Sequence, residues 1–231
     1  MALILQIETS TTSCSAALAR DGEILSVKEV NQPNVHASSL TLFINEVLQS
    51  AGVRMEQVEA VAVSMGPGSY TGLRIGVSTA KGICYAMDIP LISVNTLEAM
   101  AWKMKGLGSY PDALFCPMID ARRMEVYTAV YDQELQMISP VEAKIIDESS
   151  FAELLKSHRI VFFGDGADKC REVLGLSPNA LFADDFFNSS SGLTSLAYRN
   201  YQNSRFEDTA YFEPYYLKDF IAGNPAAGKK I

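Results

Sequence analysis

Two stretches of this chain repeat one plan, and that repetition constrains the fold more than any single motif. Residues 3–27 read as an apolar strand ending on Glu8, a polar turn, a second strand over 14–19, the turn Arg20-Asp21-Gly22, and a third strand over 23–27. Residues 114–138 read the same way: a strand ending on Asp120, a polar turn, a strand over 125–131, Asp132-Gln133, and a strand over 134–138. Each is a three-strand meander whose first strand closes on an acid. Asp21-Gly22 is a two-residue hairpin signal. Helical patterns follow both meanders. Residues 36–51 carry Leu40, Phe43, Ile44, Val47 and Ala51 at helical spacing. Ser150-Phe151-Ala152-Glu153 reads as a capping box that opens a helix to Ser157, and Asn95-Thr96-Leu97-Glu98 as another before 99–105. A strand over 160–163, the turn Gly164-Asp165-Gly166, a helix over 167–174 and a last helix over 192–204 complete the pattern. The expectation is two α/β domains of related design, each a mixed sheet with flanking helices, over 1–98 and 99–231. The second is the smaller, and its C-terminal segment can pack back on the first. Residues 106–111 loosen the chain near the boundary, and the tail 223–231 is expected to fray.

Composition narrows the function. Of 231 residues, 48% are hydrophobic, enough for a real core. No apolar run approaches the roughly 20 residues that span a bilayer, and Met1-Ala2-Leu3-Ile4-Leu5 reads as a strand with no basic leader. The net charge is −8 and lysines and arginines are scattered, with one dense terminal pair at Lys229-Lys230. A protein that grips nucleic acid alone shows a basic stripe. If this chain serves RNA chemistry, a partner holds most of the RNA. Cys14, Cys84, Cys116 and Cys170 are too far apart for a zinc knuckle or redox pair, and His36 and His158 are the only histidines. No metal and no cofactor are expected.

The densest motif is residues 66–83. An apolar strand over 58–64 breaks on Gly66-Pro67-Gly68 and continues as a helix, with Ser69 or Thr71 as its N-cap. Gly72, Gly76 and Ala80 lie four apart, on one face. A helical glycine costs about 1 kcal/mol against alanine, so three of them, Gly72, Gly76 and Gly82, imply compensation by close packing. A Gly-rich turn at a helix N-terminus also suits phosphate. The Gly-Lys-Ser/Thr ending of a P-loop is absent, which favours packing. Gly164-Asp165-Gly166 is half a dinucleotide fingerprint without its third glycine, and reads as a tight turn. Neither Ser10 nor Ser69 has a base near it in sequence.

The 66–76 block, Gly-Pro-Gly-Ser-Tyr-Thr-Gly-Leu-Arg-Ile-Gly, is long and specific. With Ile4-Leu5-Gln6-Ile7-Glu8-Thr9-Ser10, Asp120-Ala121-Arg122-Arg123-Met124-Glu125-Val126-Tyr127 and Glu213-Pro214-Tyr215-Tyr216-Leu217-Lys218 it resembles the TsaB family over most of the chain. The resemblance implies an actin-like fold, shared with sugar kinases and the Hsp70 ATPase domain. It implies a cytoplasmic partner subunit that assembles with TsaD and the small ATPase TsaE. That machinery transfers a threonylcarbamoyl group to the adenosine beside the tRNA anticodon. A homodimer is expected when the chain is alone.

Departures from the wider superfamily argue against independent catalysis. Working actin-like sites follow each strand-end acid with a Gly-rich turn that admits phosphate. Here Glu8 is followed by Thr9-Ser10-Thr11-Thr12-Ser13 and Asp120 by Ala121-Arg122-Arg123-Met124, so both acids read as remnants of a nucleotide site. TsaD carries Val-Asn-His-x-x-x-His. Here Val94-Asn95-Thr96-Leu97-Glu98-Ala99-Met100 stands in its place, with Thr96 and Met100 at the histidine positions. A kinase-like ATP-dependent enzyme and a glycoprotease-like metallopeptidase are the alternatives that these absences weigh against. The expected partner surface is formed by helices 36–51 and 72–85 through Leu40, Phe43, Ile44, Val47, Gly72, Leu73, Gly76, Val77 and Ala80. The competing expectation is that the small stripe packs on its own sheet.

Overall fold

The strand β1 (Leu3–Glu8) is buried along its whole length, which places it at the centre of a sheet. In the computed structural model, which describes residues 2–218, β1 pairs antiparallel with β2 (Ser13–Arg20) and parallel with β4 (Ala60–Gly66). β3 (Glu23–Asn31) and β5 (Leu91–Asn95) complete a five-stranded sheet of order β3-β2-β1-β4-β5. Asp21 and Gly22 both have positive φ, 51° and 85°, as the two-residue turn between β2 and β3 requires. The second sheet contains β6 (Ala113–Asp120), β7 (Glu125–Tyr131), β8 (Met137–Ile145), β9 (Arg159–Phe163) and β10 (Ala180–Phe182). Its order, β10-β9-β6-β7-β8, is the first sheet's order read from the other edge. The duplicated plan is therefore a duplicated topology. The tail expected to fray and the Lys229-Lys230 pair lie outside the described residues.

Helices α1 (His36–Ser50) and α2 (Tyr70–Met87) cover one face of the first sheet. Leu40, Ile44 and Val47 of α1 and Val77, Ala80 and Cys84 of α2 join Leu5, Ile7 and Val63 in one core. α3 (Thr96–Gly106) is shared between the domains. Its Ala99 packs with Ile4, Ala62 and Ile92 of the first sheet, whereas Leu97, Met100 and Met104 pack with Phe115 and Phe163 of the second. The chain then returns. A 3-10 turn (Ser190–Leu193) and α6 (Thr194–Gln202) lay Leu193, Leu196 and Ala197 on the first sheet. Gly192 lets that turn approach α3: a Cβ there would stand 2.8 Å from the Ala99 carbonyl oxygen. Residues 205–218 follow as a strap, with Glu207 N donating to Leu91 O at 2.9 Å and Tyr215 N to Met65 O at 2.7 Å. Residues 190–216 thus sit against the first domain although they follow the second sheet in sequence.

The second domain has shorter helices than the periodicity predicts. α4 is Ala152–Leu155 and α5 is Arg171–Leu174. Ser150 does not cap α4. Its hydroxyl donates to Asp147 Oδ1 and accepts from Asp147 N, each at 3.0 Å, so a local turn takes the group that the capping box needed. Among the described residues no helix is long and apolar enough to cross a membrane.

Candidate functional site in the interdomain cleft

The ends of β1 and β6 face each other across a cleft of about 360 Å³. Ser10, Thr12, His36, Ser69 and Thr71 line it from the first domain, and Asp120 and Asp165 from the second. The two strand-end acids behave differently. Glu8 is absent from this lining. It is 1% exposed and turned inward, beside Met100, Lys103 and Asn188. One carboxylate oxygen accepts from Ser10 N at 2.6 Å and from Ser10 Oγ at 2.5 Å. Burial pushes its pKa above the ordinary carboxylate value, and the Ser10 hydrogen bonds offset part of that. Lys103 donates to Phe187 O at 2.8 Å and lies 4.4 Å from the Phe187 ring centroid. Burial lowers its pKa, against the pull of Glu29 and Glu8.

Asp120 is exposed and does face the cleft. Its carboxylate accepts from Arg122 N at 2.9 Å and pairs with Lys169, which also donates to Glu125 O at 2.7 Å. Asp165 accepts from Asp120 N at 3.0 Å. The structure therefore keeps one acid on the cleft and withdraws the other.

The glycines of residues 66–76 answer to the β1 turn. A Cβ on Gly72 would stand 2.1 Å from Thr9 O, one on Gly76 2.2 Å from Thr9 Oγ1, and one on Gly68 2.4 Å from Ser10 O. Thr9 Oγ1 donates to Gly72 O at 2.8 Å, and Ser69 N donates to Ser10 O at 2.6 Å. The small face of α2 is filled by the chain's own Thr9-Ser10 turn. This corrects the expectation that a partner meets it. Leu40, Ile44, Val47, Gly72, Leu73, Gly76, Val77 and Ala80 are all buried in the first domain, and Phe43 is half-buried. Small residues at i, i+4 report that a backbone comes close, and cannot say whose. Of the expected interface residues, Ile44 also lines an outward groove between α1 and α2. Leu42 is 60% exposed, and the groove, of about 490 Å³, runs between the helices over Ile44, Leu48, Met55, Thr79 and Ile83.

Thr96 and Met100 have structural tasks. Thr96 Oγ1 accepts from Gly66 N at 3.1 Å, fixing the end of β4. Met100 is buried, and its Cε would lie 2.6 Å from a Cβ on Gly164, whose φ is 103°. Among the described residues no three His, Cys, Asp or Glu side chains are grouped to hold a metal ion. All four cysteines are buried. Burial raises the Cys116 thiol to about 12 and the Cys14 and Cys84 thiols to about 11, which leaves them inert at neutral pH.

One set of buried contacts behind Ser10 escapes sequence reasoning. The connector entering the 3-10 turn is bonded to β2 by buried polar groups. Ser13 Oγ donates to Asn188 O at 2.6 Å, the Ser15 and Ser190 hydroxyls are 2.6 Å apart, and Asn188 Nδ2 donates to Ser10 Oγ at 3.1 Å. The signal in the sequence is the pair of serines, Ser13 and Ser15, in a strand that is buried except at its last residue. Such groups need partners, but these partners are 175 residues or more away.

Two mixed sheets of one topology, with an acid ending the first strand of each, define an actin-like protein. Solved structures agree on the fold. YeaZ from Pseudomonas aeruginosa superposes with a TM-score of 0.77 over 94% of this chain and 100% of its own, at 24% identity. The activator of 2-hydroxyisocaproyl-CoA dehydratase from Clostridium difficile, solved with bound ADPNP, superposes at 0.52 over 88% of this chain and 97% of its own, at 9% identity. A family model described as TsaD, tRNA N6-adenosine threonylcarbamoyltransferase, matches residues 29–222. The tRNA threonylcarbamoyladenosine biosynthesis protein TsaB of Bacillus subtilis is 30% identical over 176 residues, 74% of each chain. Its counterparts in Haemophilus influenzae and Escherichia coli are 37% and 36% identical over 54% and 57% of this chain. Those two matches span about half the length of the relatives, 51% and 55%. The chain belongs to the TsaD family and, within it, to the TsaB proteins.

Proposed function

We propose that this chain is a non-catalytic partner subunit in tRNA threonylcarbamoyladenosine modification. In this reading it binds TsaD and supports transfer of the threonylcarbamoyl group to the adenosine beside the anticodon, in a cytoplasmic assembly that also includes TsaE. The observation that carries it is the fate of the two histidine positions: Thr96 holds the end of β4 and Met100 fills the space under Gly164. Neither side chain is available to a hard metal. The kinase-like alternative loses support for a related reason. The small face of α2 at Gly72 and Gly76 is occupied by Thr9, and Gly68 by Ser10, so these glycines serve close packing within the chain.

Association with TsaD is assigned to the outward groove between α1 and α2, in place of the buried small stripe. Its apolar floor and the exposed Leu42 suit helix-against-helix packing. One surface of this kind serves a homodimer when the chain is alone and the TsaD pair in the complex, so the two compete. The test is co-purification with TsaD followed by a transfer assay with and without this chain. The isolated chain should transfer nothing, and TsaD should need it. Leu42→Asp should weaken association at least about tenfold, as for an interface anchor, while circular dichroism stays unchanged. Transfer by the isolated chain at the rate of the assembled complex sinks the reading. Normal association of Leu42→Asp moves the interface elsewhere.

A further inference from the structure

Cations that are scattered in the sequence gather along one edge of the fold. Arg74 and Lys81 lie on one side of α2 with Tyr70 and Tyr85, stacked at helical spacing. The groove residues Thr79 and Ile83 occupy a different side of the same helix. The strap runs beside this stripe. Lys81 donates to Phe212 O at 2.8 Å and to Ala210 O at 3.2 Å. The Tyr216 ring lies 4.8 Å from that of Tyr70, and the Arg74 guanidinium 5.1 Å from the same Tyr70 ring. The strap then reaches the second domain, where Lys218 pairs with Glu125 at 2.5 Å. Glu125 N donates to Arg122 O at 3.1 Å, so the edge continues into Arg122 and Arg123.

Those two arginines are held out by the fold. Both are exposed and both have positive φ, 70° and 49°, which a non-glycine residue adopts only when its surroundings impose it. Here Asp120 accepts from Arg122 N, and Ala121 N donates to Glu125 O at 3.1 Å. The acids of the turn are already matched, Asp120 by Lys169 and Glu125 by Lys218. Glu207, Asp208 and Glu213 are the remaining acids of the strap; Glu207 accepts from Ser93 Oγ at 2.5 Å, and Asp208 accepts from Ala210 N and Tyr211 N. Among the described residues, Arg74, Arg122 and Arg123 form no ion pair with a carboxylate. Exposed rings flank the Lys81 end of the stripe: Tyr85, one turn beyond Lys81 on α2, is 88% exposed, and Tyr211, between the two residues whose carbonyls bond Lys81, is 84% exposed.

We infer that this edge is an RNA-binding face, on which Arg74, Arg122 and Arg123 meet phosphates and Tyr85 and Tyr211 stack on unpaired bases. The inference rests on the reading of the chain as part of a tRNA-modifying assembly, and adds to it a direct contact with the RNA. Unpaired RNA uses cations for its backbone and flat rings for its bases. An acidic polypeptide uses the cations and leaves the rings without a task. The face is local in a chain of net charge −8, so it supplies weak affinity alone and more within a complex.

The test is a titration of labelled tRNA by the isolated full chain and by its complex with TsaD, at low and at physiological salt. The triple variant Arg74→Gln, Arg122→Gln, Arg123→Gln should flatten the log–log salt slope by about two. Tyr85→Ala with Tyr211→Ala should weaken binding about fivefold or more and leave that slope unchanged. Unaltered affinity and slope in the triple variant overturn the inference. So does competition by polyglutamate as effective as that by unlabelled tRNA, which makes the edge a surface for an acidic protein. The same preparations are checked for association with TsaD. Loss of that association in the parent chain overturns the reading beneath, while the titration of the isolated chain still decides the RNA face.

Discussion

The two domains share a strand order and diverge at the end of the central strand. In the first, β1 ends on an acid that is buried and held by Ser10, and the following turn is clasped by Gly68, Gly72 and Gly76. In the second, β6 ends on an acid that is exposed and paired with Lys169. Its turn stands clear enough for two arginines to project from it. The glycines after β9 play a part like that of the glycines after β4. A Cβ on Gly164 would meet Met118 O at 2.4 Å, and one on Gly166 would meet the Ile119 carbonyl carbon at 2.9 Å. The helices that follow differ most: 15 and 18 residues in α1 and α2, four each in α4 and α5. One topology thus serves two ends. The first domain builds long helices with an outward groove, and the second keeps one-turn helices and a charged turn.

The largest expected effect tests whether the small face of α2 is core. Gly72→Ala places a methyl group 2.1 Å from the Thr9 carbonyl oxygen, where no flexible side chain can yield. It should cost about 3 kcal/mol in chemical denaturation. A variant as stable as the parent that only loses association would return this face to the interface. The matching change in the second domain, Gly164→Ala, combines a φ of 103° with the Met118 carbonyl and should cost about 2 kcal/mol.

The next contrast is between the two acids. The folded state raises the Glu8 pKa from an ordinary 4.5. Above 4.5 the unfolded chain ionises freely while the folded chain must bury the charge. The contribution of Glu8 to stability therefore falls as pH rises from 4.5 through the folded value. Glu8→Gln should remove that decline, so the variant gains on the parent as pH rises from acid to neutral. Denaturation midpoints across that range decide it, and parallel curves for the two proteins would refute it. Asp120→Asn loses only an exposed pair and should stay within about 0.5 kcal/mol of the parent.

The last contrast concerns the third helical glycine. Nothing lies within 4 Å of a Cβ on Gly82. Gly82→Ala should stabilise the fold by about 0.5 to 1 kcal/mol through helix propensity alone. A loss of stability there would show that α2 has a close neighbour on its outer side.

Much of the architecture was legible because it is written in short range. Alternation and turn chemistry mark the two meanders, and Asp21-Gly22 sits at a turn that demands positive φ. Asn95 caps α3 as its motif predicts, with Oδ1 accepting from Leu97 N at 3.0 Å and Glu98 N at 3.2 Å. Ser150 failed the same test because Asp147, three residues away, competes for its hydroxyl. The site was legible in its losses. Thr96, Met100 and the missing glycines after Glu8 and Asp120 stand out against the motifs of the families that the chain resembles. The partner of the small stripe, the serine contacts of the connector and the basic edge could not be read, since each joins residues far apart in sequence.

By itself the sequence determined that the chain repeats an α/β unit and that α2 must be approached closely. Those properties follow from residue type and local spacing. Only the tertiary structure decided that Thr9 and Ser10 make the close approach, that residues 190–216 return to the first domain, and that Arg74, Arg122 and Lys218 share an edge. The physical reason is that a glycine specifies space and an arginine specifies charge. What fills the space, and which charges are neighbours, depends on how two sheets and a strap are folded onto one another.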